Sequence, residues 1–419
     1  MTATTEVATD CGLVPIYNHT IPFPQSPGRA VDQAIHDYIV TDHQLEHNFN
    51  EDDPFFVADL GEVLRQHRKW QKHLPTVEPF YAVKCNPDPS LLRYLQALGT
   101  GFDCASIEEI RRVLSLGVEP SRIIFANPCK SPSSIRFARS VGVYRTTCDN
   151  IDELEKIHSI MPEAMVVLRL YASDPGALTN LSEKFGATKE IALDLLKRAQ
   201  HLGLKIEGVS FHVGSGARDP KSFETALRDA TSIMEVARSL GFKADLLDIG
   251  GGFLDEHFVR IAETIRYFIE TEVPSGVRVI AEPGRFYVRS AYNLVTKVIA
   301  RRQETHRDGV STPNMLYQSD GVYGNFMNVI LEKERMQPTL IEKTLSLTKS
   351  DISKRTRCRH EYLIWGPTCD STDKVVEKAF FDSEVLVGDW LKYTGMGAYT
   401  ASVSTQFNGF NNQYKLVYV

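Results

Sequence analysis

The feature that most constrains the fold of this chain is an alternation of short apolar runs with longer amphipathic stretches, from about residue 55 to residue 285. The short runs resemble buried strands, whereas the longer stretches repeat their apolar residues at helical spacing. A strand, a helix and a further strand in succession imply parallel pairing. About eight such units in about 230 residues predict a (β/α)8 TIM barrel rather than an open doubly wound sheet.

Nine apolar runs and four amphipathic stretches carry this prediction. The predicted strands are 55–58, 79–83, 101–104, 123–126, 143–147, 166–170, 208–212, 246–249 and 278–281. The predicted helices include 107–116, 191–202, 223–240 and 258–269.

Beyond residue 285 the pattern changes to β-branched and aromatic runs separated by turn residues, which predicts an all-β domain, an antiparallel β barrel or sandwich. We therefore expect a barrel over residues 51–288 and a C-terminal β domain over 289–419. An N-terminal segment, 1–50, is expected to join the β domain. The charged, Ser- and Thr-rich stretch 333–358 is predicted to be a surface excursion.

Composition excludes several classes of protein. The 419 residues are 42% hydrophobic and 24% charged, as expected for a packed globular protein. A net charge of −6 gives no reason to expect nucleic acid as a partner, and no apolar stretch reaches the length of a membrane span. The seven cysteines form no CxxC pair, which argues against a disulfide framework and a zinc site. We expect a cytoplasmic protein without a metal.

Lys84 stands where one predicted strand stops, in the run YAVKCN. A lysine must lose its proton to form an imine with an aldehyde, and the end of a barrel strand offers a dry, walled position for that chemistry. Asp103, at the end of the next predicted strand, is placed to bind the lysine ammonium. A solvated strand cap is the competing interpretation of Lys84 taken alone.

Three later strand ends carry groups that bind anions. They are Ser215 with Gly216, the run Gly250, Gly251 and Gly252, and Gly284 with Arg285. Backbone N–H groups, a hydroxyl and a guanidinium that converge at one face of a barrel would form a phosphate cup. Each glycine alone is also compatible with a simple tight turn.

Glu282 and His212 complete the set of strand-end residues. A carboxylate at Glu282 would pair with the pyridine nitrogen of pyridoxal 5′-phosphate (PLP) and keep the ring an electron sink. A salt bridge between Glu282 and Arg285 is the competing interpretation. His212 is placed to lie flat on the cofactor ring, although a strand histidine is often a packed residue. Together these residues predict a PLP site.

The motifs and their order resemble those of the eukaryotic ornithine decarboxylases, which belong to the alanine-racemase-like group of PLP enzymes. The matching stretches are YAVKCN, FDCAS, KFGA, SFHVGSG, DIGGGF, AEPGRFYV, DGVYGNF, GPTCDSTD, GDW, GAYT and FNGF. They extend over nearly the whole chain, from about residue 40 to 419. The resemblance implies a PLP-binding barrel, a β domain and a homodimer whose two active sites are shared between subunits.

The resemblance also implies roles for individual residues. Lys84 would be the Schiff-base lysine, and the remaining cofactor-binding residues would be Asp103, Arg169, His212, Ser215, Gly250, Gly251, Gly252, Glu282, Gly284, Arg285 and Tyr399. Cys369 would reach into the other subunit's site and return a proton after CO₂ leaves, while Asp370 would face the distal ammonium of the substrate. Tyr317 is a further candidate substrate contact. Lys184 and Asp373 match a pair that bridges the subunits in the family.

The sequence departs from the family at one substrate-binding position. In ornithine decarboxylases this segment carries Tyr-Asp-His, whose aspartate binds the terminal amine of the substrate. Here the segment reads ILEKER (330–335), and an alignment without gaps places Lys333 at the position of that aspartate. Two like charges about 4 Å apart at an effective dielectric of about 20 repel by about 4 kcal/mol. Lys333 therefore suggests a substrate with a distal carboxylate as well as an ammonium, such as the aminocarboxypropyl-proline of fungal loline alkaloid biosynthesis. A shift of one residue would place Glu332 at the site instead and preserve amine recognition.

Other functions stay open at this point. A true ornithine decarboxylase that makes putrescine is the first alternative, and a decarboxylase of lysine, arginine or diaminopimelate is another. A catalytically inactive homologue that binds the decarboxylase's inhibitor protein would not need Lys84, Asp103, Arg285 or Cys369, yet all four are present. A racemase would need a second base, commonly a tyrosine, where Cys369 stands. Binding of an inhibitor protein to this chain is possible.

Overall fold

The computed structural model describes residues 14–16, 19–21, 27–41, 51–179, 181, 183–303, 305–307, 310–342, 355–410 and 414–419. The chain divides into two compact units. The barrel unit comprises Leu64–Tyr287, and the β unit comprises Met1–Val63 together with Val288–Val419. No helix in the described ranges has both the length and the apolar character that a membrane crossing requires.

The chain enters the described structure through three short strands and two helices. In order these elements are β1 (Val14–Ile16), β2 (His19–Ile21), α1 (Pro27–Thr41), β3 (Phe55–Ala58) and α2 (Leu60–His73). Strands β1 and β2 pair antiparallel with each other.

Eight parallel strands close into a barrel, which confirms the predicted fold class. They are β4 (Val77–Ala82), β5 (Gly101–Cys104), β6 (Ile123–Phe125), β7 (Arg145–Cys148), β8 (Met165–Leu170), β9 (Lys205–Phe211), β10 (Leu246–Asp248) and β11 (Arg278–Ala281). Strand β11 pairs with β4 and closes the ring. A cluster of inward-facing apolar side chains from five of the strands fills the interior: Phe80, Ile124, Val167, Leu246 and Ile280.

Amphipathic helices connect the barrel strands. They are α3 (Pro89–Ala97), α4 (Ile107–Ser115), α5 (Pro132–Ser140), α6 (Ile151–Ile160), α7 (Lys189–Leu202), α8 (Pro220–Ser239) and α9 (Phe258–Glu272). Several begin at a polar side chain that accepts a hydrogen bond from a free N–H group of the first turn, as Ser106 does for α4 and Asn150 for α6. These caps fix where the strand-to-helix loops before the capped helices end.

The barrel unit ends within the short helix α10 (Arg285–Val288). The β unit contains the remaining strands and a second short helix. They are β12 (Tyr292–Arg302), β13 (Thr305–Arg307), β14 (Val310–Thr312), β15 (Met315–Gln318), α11 (Met327–Leu331), β16 (Thr339–Ile341), β17 (His360–Trp365), β18 (Lys374–Phe381), β19 (Trp390–Tyr393) and β20 (Lys415–Tyr418). The main sheet has the order β16-β19-β12-β15-β17-β18, and β3 and β20 extend it to eight strands.

Two expectations about the units require correction. The run Phe55–Ala58 was predicted as a barrel strand, but β3 pairs with β12 and β20, so the barrel unit begins at Leu64 rather than at residue 51. A four-residue apolar run does not reveal which distant strand it will pair with. The β sheet is also not purely antiparallel, because β3 with β20 and β15 with β17 are parallel pairs.

The predicted surface excursion 333–358 is partly structured. Residues Thr339–Ile341 form β16, which pairs antiparallel with β19. Residues 343–354 lie outside the described structure.

Candidate active site

Lys84 follows β4 directly, in a single 3-10 turn over Val83–Cys85. Ala82 lies in register with Asp103 of β5, so the ends of the two strands adjoin. The Lys84 ammonium donates a hydrogen bond to Asp103 Oδ2. The Asp103 side chain is fully buried, whereas 40% of the Lys84 side chain is exposed. A buried carboxylate therefore holds a lysine that is still accessible to a ligand.

The glycine run after β10 forms a tight loop against neighbouring backbone. Gly250 has φ +63°, and a Cβ there would lie 2.1 Å from the carbonyl oxygen of Phe211, so only glycine fits. The N–H groups of Gly216, Gly251 and Gly252 donate no hydrogen bond to any residue within the described ranges. Three amide donors without a protein acceptor are suited to an anion.

Arg285 contacts Ser215, the residue before Gly216. The whole residue is 4% exposed, and its Nη2 donates to the Ser215 hydroxyl over 3.4 Å. Gly284 packs where a Cβ would lie 2.8 Å from the Cβ of Cys85, so the absence of a side chain lets the loop pass the Lys84 turn. A buried guanidinium and a hydroxyl thus accompany the amide donors.

Two carboxylates adjoin where β10 and β11 end. Asp248 is the last residue of β10, and the Glu282 N–H donates to the Gly250 carbonyl over 2.7 Å. Burial raises the pKa of Glu282 well above its usual range, and the charges of Asp248 and Asp103 raise it further. Burial also raises the pKa of Asp248. The pair therefore tends to retain a proton, and a cation brought next to Glu282 would stabilise the ionised form.

His212 follows β9, and its ring is held by the backbone. Its Nδ1 accepts a hydrogen bond from the Gly214 N–H over 3.1 Å, so the proton of the neutral ring lies on Nε2. Burial, followed by the positive charges of Arg169 and Lys84, lowers the pKa of His212 well below its usual value. The ring is consequently neutral near pH 7 and has no charge to repel a planar cationic ligand.

The predicted residues Arg169 and Lys184 both lie over one aromatic ring. The Arg169 guanidinium is 5.3 Å and the Lys184 ammonium 5.1 Å from the centre of the Phe185 ring. Arg169 belongs to β8, while Lys184 is exposed in the loop that follows it. Within the barrel unit, every predicted cofactor residue therefore lies at or just beyond the C-terminal end of a strand.

The predicted residues around the GPTCD motif belong to the β unit. Cys369 is exposed, and its N–H donates to Asn408 Oδ1 over 3.0 Å. The Asp370 carboxylate accepts from the Thr372 N–H over 2.7 Å and from the Tyr323 hydroxyl over 2.8 Å. These hydrogen bonds lower the pKa of Asp370, so the side chain is anionic at neutral pH.

Asp373, Tyr399 and Tyr317 also lie in the β unit. The buried Asp373 carboxylate accepts from the Val322 N–H over 2.8 Å and from the Thr368 N–H over 2.9 Å, all within one chain. Its pairing with Lys184 of another subunit stays a prediction. Tyr399 adopts a left-handed backbone with φ +53°, and the half-buried Tyr317 hydroxyl contacts Met315 Sδ at 3.7 Å.

Two residues are candidates for the substrate-binding position at which the sequence departs from the family, and they differ in solvent exposure. Lys333 is exposed and Glu332 is half-buried. Which of them meets a substrate stays a prediction.

Sequence reasoning assigned no role to three residues that the structure ties to the candidates. Asp248 adjoins Glu282, Asn408 holds the backbone of Cys369, and Tyr323 binds Asp370. The motifs DIGGGF, FNGF and DGVYGNF contain these residues. A carboxylate two residues before the first of three glycines was the signal that could have identified Asp248.

The barrel-unit residues fit PLP. An accessible lysine suits its aldehyde, free amide donors with a buried guanidinium suit its phosphate, and a buried carboxyl suits its ring nitrogen. The orphaned N–H groups are the observation that makes this fit specific, because a packed loop without a ligand would satisfy them internally.

Comparisons with known proteins agree with this chemistry. The family model for the pyridoxal binding domain of pyridoxal-dependent decarboxylases matches residues 60–289. Ornithine decarboxylase of Neurospora crassa is 43% identical over 392 residues, covering 88% of this chain and 81% of that protein. Decarboxylase flvG of Aspergillus flavus is 41% identical over 373 residues, covering 88% and 86%. The X-ray structure of the Paramecium bursaria Chlorella virus arginine decarboxylase superposes with a TM-score of 0.83 at 34% identity, covering 93% of this chain and all of that one.

Proposed function

Because this chain belongs to the family of PLP-dependent amino-acid decarboxylases, we propose that it removes the α-carboxylate of a basic L-amino acid, and ornithine is the substrate best supported by its relatives. The resemblance inferred from the motifs is confirmed, and so are the enzyme class and the cofactor. The observation that carries the proposal is Lys84, accessible at the end of a barrel strand and ion-paired with the buried Asp103.

The barrel residues divide the work of holding and tuning the cofactor. PLP, when bound, supplies a ring that accepts the electron pair left behind by departing CO₂. Lys84 would hold the cofactor through its aldehyde, and the Glu282 carboxylate would hold a proton at the ring nitrogen. Arg285, Ser215 and the 250–252 loop would bind the phosphate, and the neutral ring of His212 would pack against the cofactor. Asp103 keeps Lys84 oriented before the cofactor arrives.

Cys369 and Asp370 are proposed to serve the active site of a second subunit in a homodimer. The exposed position of Cys369 and the fixed, anionic Asp370 support this proposal. A thiol that reaches the substrate carbon can act as a general acid and donate a proton to it. Asp370 would bind the distal ammonium of the substrate. A cytoplasmic location is part of the same proposal.

A mixing experiment tests the shared site. Lys84→Ala and Cys369→Ala proteins are purified separately, then mixed and allowed to exchange subunits. Half of the dimers would be mixed, and one of their two sites would be intact, so activity would recover to about a quarter of that of the wild type. Mixing two preparations of the same variant is the control. No recovery despite demonstrated subunit exchange would exclude the shared site.

A product survey tests the substrate. The PLP-loaded protein is incubated with ornithine, lysine, arginine and an aminocarboxypropyl-proline, and the amines are identified by mass spectrometry. Putrescine as the dominant product would establish the ornithine reaction. Amines from none of the four substrates, with PLP bound at Lys84, would contradict the proposed function.

One observation favours a second candidate, a substrate whose distal end carries a carboxylate as well as an ammonium. Lys333 is exposed, and its ammonium has no hydrogen bond or ion pair to any residue that the structure describes. A free cation at the position of a substrate-binding carboxylate would repel the tail of ornithine and attract a carboxylate. An aminocarboxypropyl-proline from loline-type metabolism has both groups.

The ratio of kcat/KM for the two substrates separates the candidates. Preference for the proline derivative that is reversed by Lys333→Asp would support the second candidate. Preference for ornithine, unaffected by Lys333→Asp, would leave ornithine decarboxylation as the function.

A further inference from the structure

The turn after α11 places Lys333 in an unusual backbone conformation. The N–H groups of Glu332 and Glu334 both donate to the Asn328 carbonyl, over 2.9 and 3.3 Å. Closing this turn requires Lys333 to adopt a left-handed backbone with φ +54°. Glycine is the usual residue at such a helix C-terminus, because a Cβ is disfavoured there. The chain has a long cation where the backbone would prefer glycine.

The side chain of Glu334 is bound at both oxygens. Oε1 accepts from Arg289 Nη2 over 2.6 Å, and Oε2 accepts from Asn328 Nδ2 over 3.0 Å. The Glu334 side chain is 19% exposed, so these contacts are partly shielded from water. The nearest acidic neighbour on the C-terminal side of Lys333 is therefore already neutralised by another cation.

The left-handed turn and the bound state of Glu334 together affect how Lys333 can pair. A lysine next to a free glutamate would pair with it and lose its attraction for a second carboxylate. Here Arg289 takes the charge of Glu334, while Asn328 fixes both the turn and the second carboxylate oxygen. The ammonium of Lys333 stays unpaired among the residues that the structure describes, on a backbone that cannot relax without breaking the turn.

We propose that Arg289, Asn328 and Glu334 are positioning residues that hold Lys333 in its left-handed turn and keep its ammonium free to bind a distal carboxylate of the substrate. This inference rests on the second candidate function proposed above. Lys333 is the specificity-determining residue in this scheme, and the other three residues act through it.

Arg289→Met is the main test. Loss of the guanidinium releases Glu334, which then pairs with Lys333. In the PLP-loaded enzyme, KM for the aminocarboxypropyl-proline should rise about fivefold, because a pre-organised binding group is lost, while kcat stays unchanged. The KM for ornithine should stay level or fall. Trypsin should also cut after Lys333 faster than in the wild type, a readout independent of activity.

Two further variants provide the controls. Added to Arg289→Met, Glu334→Gln removes the carboxylate that would pair with Lys333, and a flipped Asn328 amide can still bond to the new side chain, so KM should return toward the wild-type value. Arg301→Met breaks a comparable ion pair with Glu384, 2.6 Å long in the same unit, and should change neither KM nor cleavage after Lys333.

The outcomes separate this inference from the function on which it rests. Lys333→Met should raise KM for the carboxylate-bearing substrate by about tenfold or more, the value of a charge-assisted hydrogen bond. If Lys333→Met raises KM but Arg289→Met does not, the positioning role is wrong and the substrate class stands. If Lys333→Met leaves KM unchanged, both the positioning role and the carboxylate-bearing substrate are wrong.

Discussion

The barrel unit and the β unit present their candidate functional residues in different ways. In the barrel unit, Asp103, Asp248 and Arg285 are almost fully buried and project from the C-terminal ends of strands in one closed ring. In the β unit, Cys369 and Lys333 are exposed and lie in two separate connections, between β17 and β18 and between α11 and β16. A closed parallel barrel brings every strand end to one face, whereas a mixed sheet distributes its loops.

This difference separates two kinds of chemistry. Burial in the barrel unit changes the pKa of Glu282 and His212, which suits residues that tune a cofactor. Exposure in the β unit leaves side chains free to meet a substrate or another subunit. We expect substitutions in the barrel unit to affect the cofactor and all substrates, and substitutions in the β unit to affect selectivity or stability.

Lys84→Ala should give the largest effect and is the sharpest test of the barrel unit. Turnover of every substrate should be lost, because the amine proposed to hold the cofactor covalently is removed. Borohydride reduction followed by mass spectrometry should find PLP on residue 84 in the wild type and none in the variant. Lys205→Ala, at the opposite end of a barrel strand, is the control and should stay fully active. Covalent PLP at another lysine would break the comparison.

Glu282→Gln should lower kcat by about two to three orders of magnitude, because an ionised carboxylate no longer holds a proton at the ring nitrogen. PLP should still bind, as a spectroscopic titration would show. Glu78→Gln is the matched control, since Glu78 lies near the start of β4 and pairs with Arg278 over 2.6 Å. Equal losses of kcat in Glu282→Gln and Glu78→Gln would show that the loss does not depend on the position of Glu282 at the C-terminal end of its strand.

Asp320→Asn tests burial of charge in the β unit. Burial raises the pKa of Asp320 from its usual 3.8 to about 6, so the neutral form suits the folded state. The difference between the folded-state and the usual pKa of Asp320 corresponds to about 3 kcal/mol in the free energy of unfolding. This contribution stabilises the fold below pH 4 and is lost as the pH rises through 6. Urea unfolding should show the variant gaining about that much relative to the wild type between pH 4 and pH 7.

The Asp320→Asn variant has a structural reason to be tolerated. Asn325 Nδ2 donates to Asp320 Oδ2 over 2.6 Å, and Asn325 Oδ1 has no hydrogen-bond partner within the described ranges. A flipped Asn325 amide would accept from the amide introduced at position 320. The same stability difference at both pH values would show that Asp320 is not the titrating group.

Lys333→Gly should give the smallest effect. Glycine relieves the left-handed backbone and should raise the free energy of unfolding by about 1 kcal/mol, whereas Lys333→Ala keeps the strain and should not. Thermal unfolding of the two variants measures the difference. A stabilised Lys333→Gly enzyme with reduced selectivity would show that the β unit sacrifices stability for substrate choice. Equal stability of the two variants would remove the strain argument.

Much of the barrel could be predicted from the sequence, since its neighbouring strands mostly follow one another along the chain. Lys84 and Asp103 were assigned to adjacent strand ends from order alone, and the register of β4 with β5 places them together. Strand β3 could not be assigned, because its partners β12 and β20 lie more than two hundred residues away in the chain. Nothing in four apolar residues encodes which distant edge they join.

The types of side chain at the proposed site can be read from the order of residues: an amine proposed for the aldehyde, glycines and an arginine for the phosphate, and a carboxylate for the ring nitrogen. The tertiary structure sets the pKa of these side chains and determines which charged groups pair with one another. Glu282 has a raised pKa because burial removes water from it, and Glu334 is ion-paired with the distant Arg289 rather than with its neighbour Lys333. Solvent access and competition between charges depend on three-dimensional distances, which the order of residues along a chain does not contain.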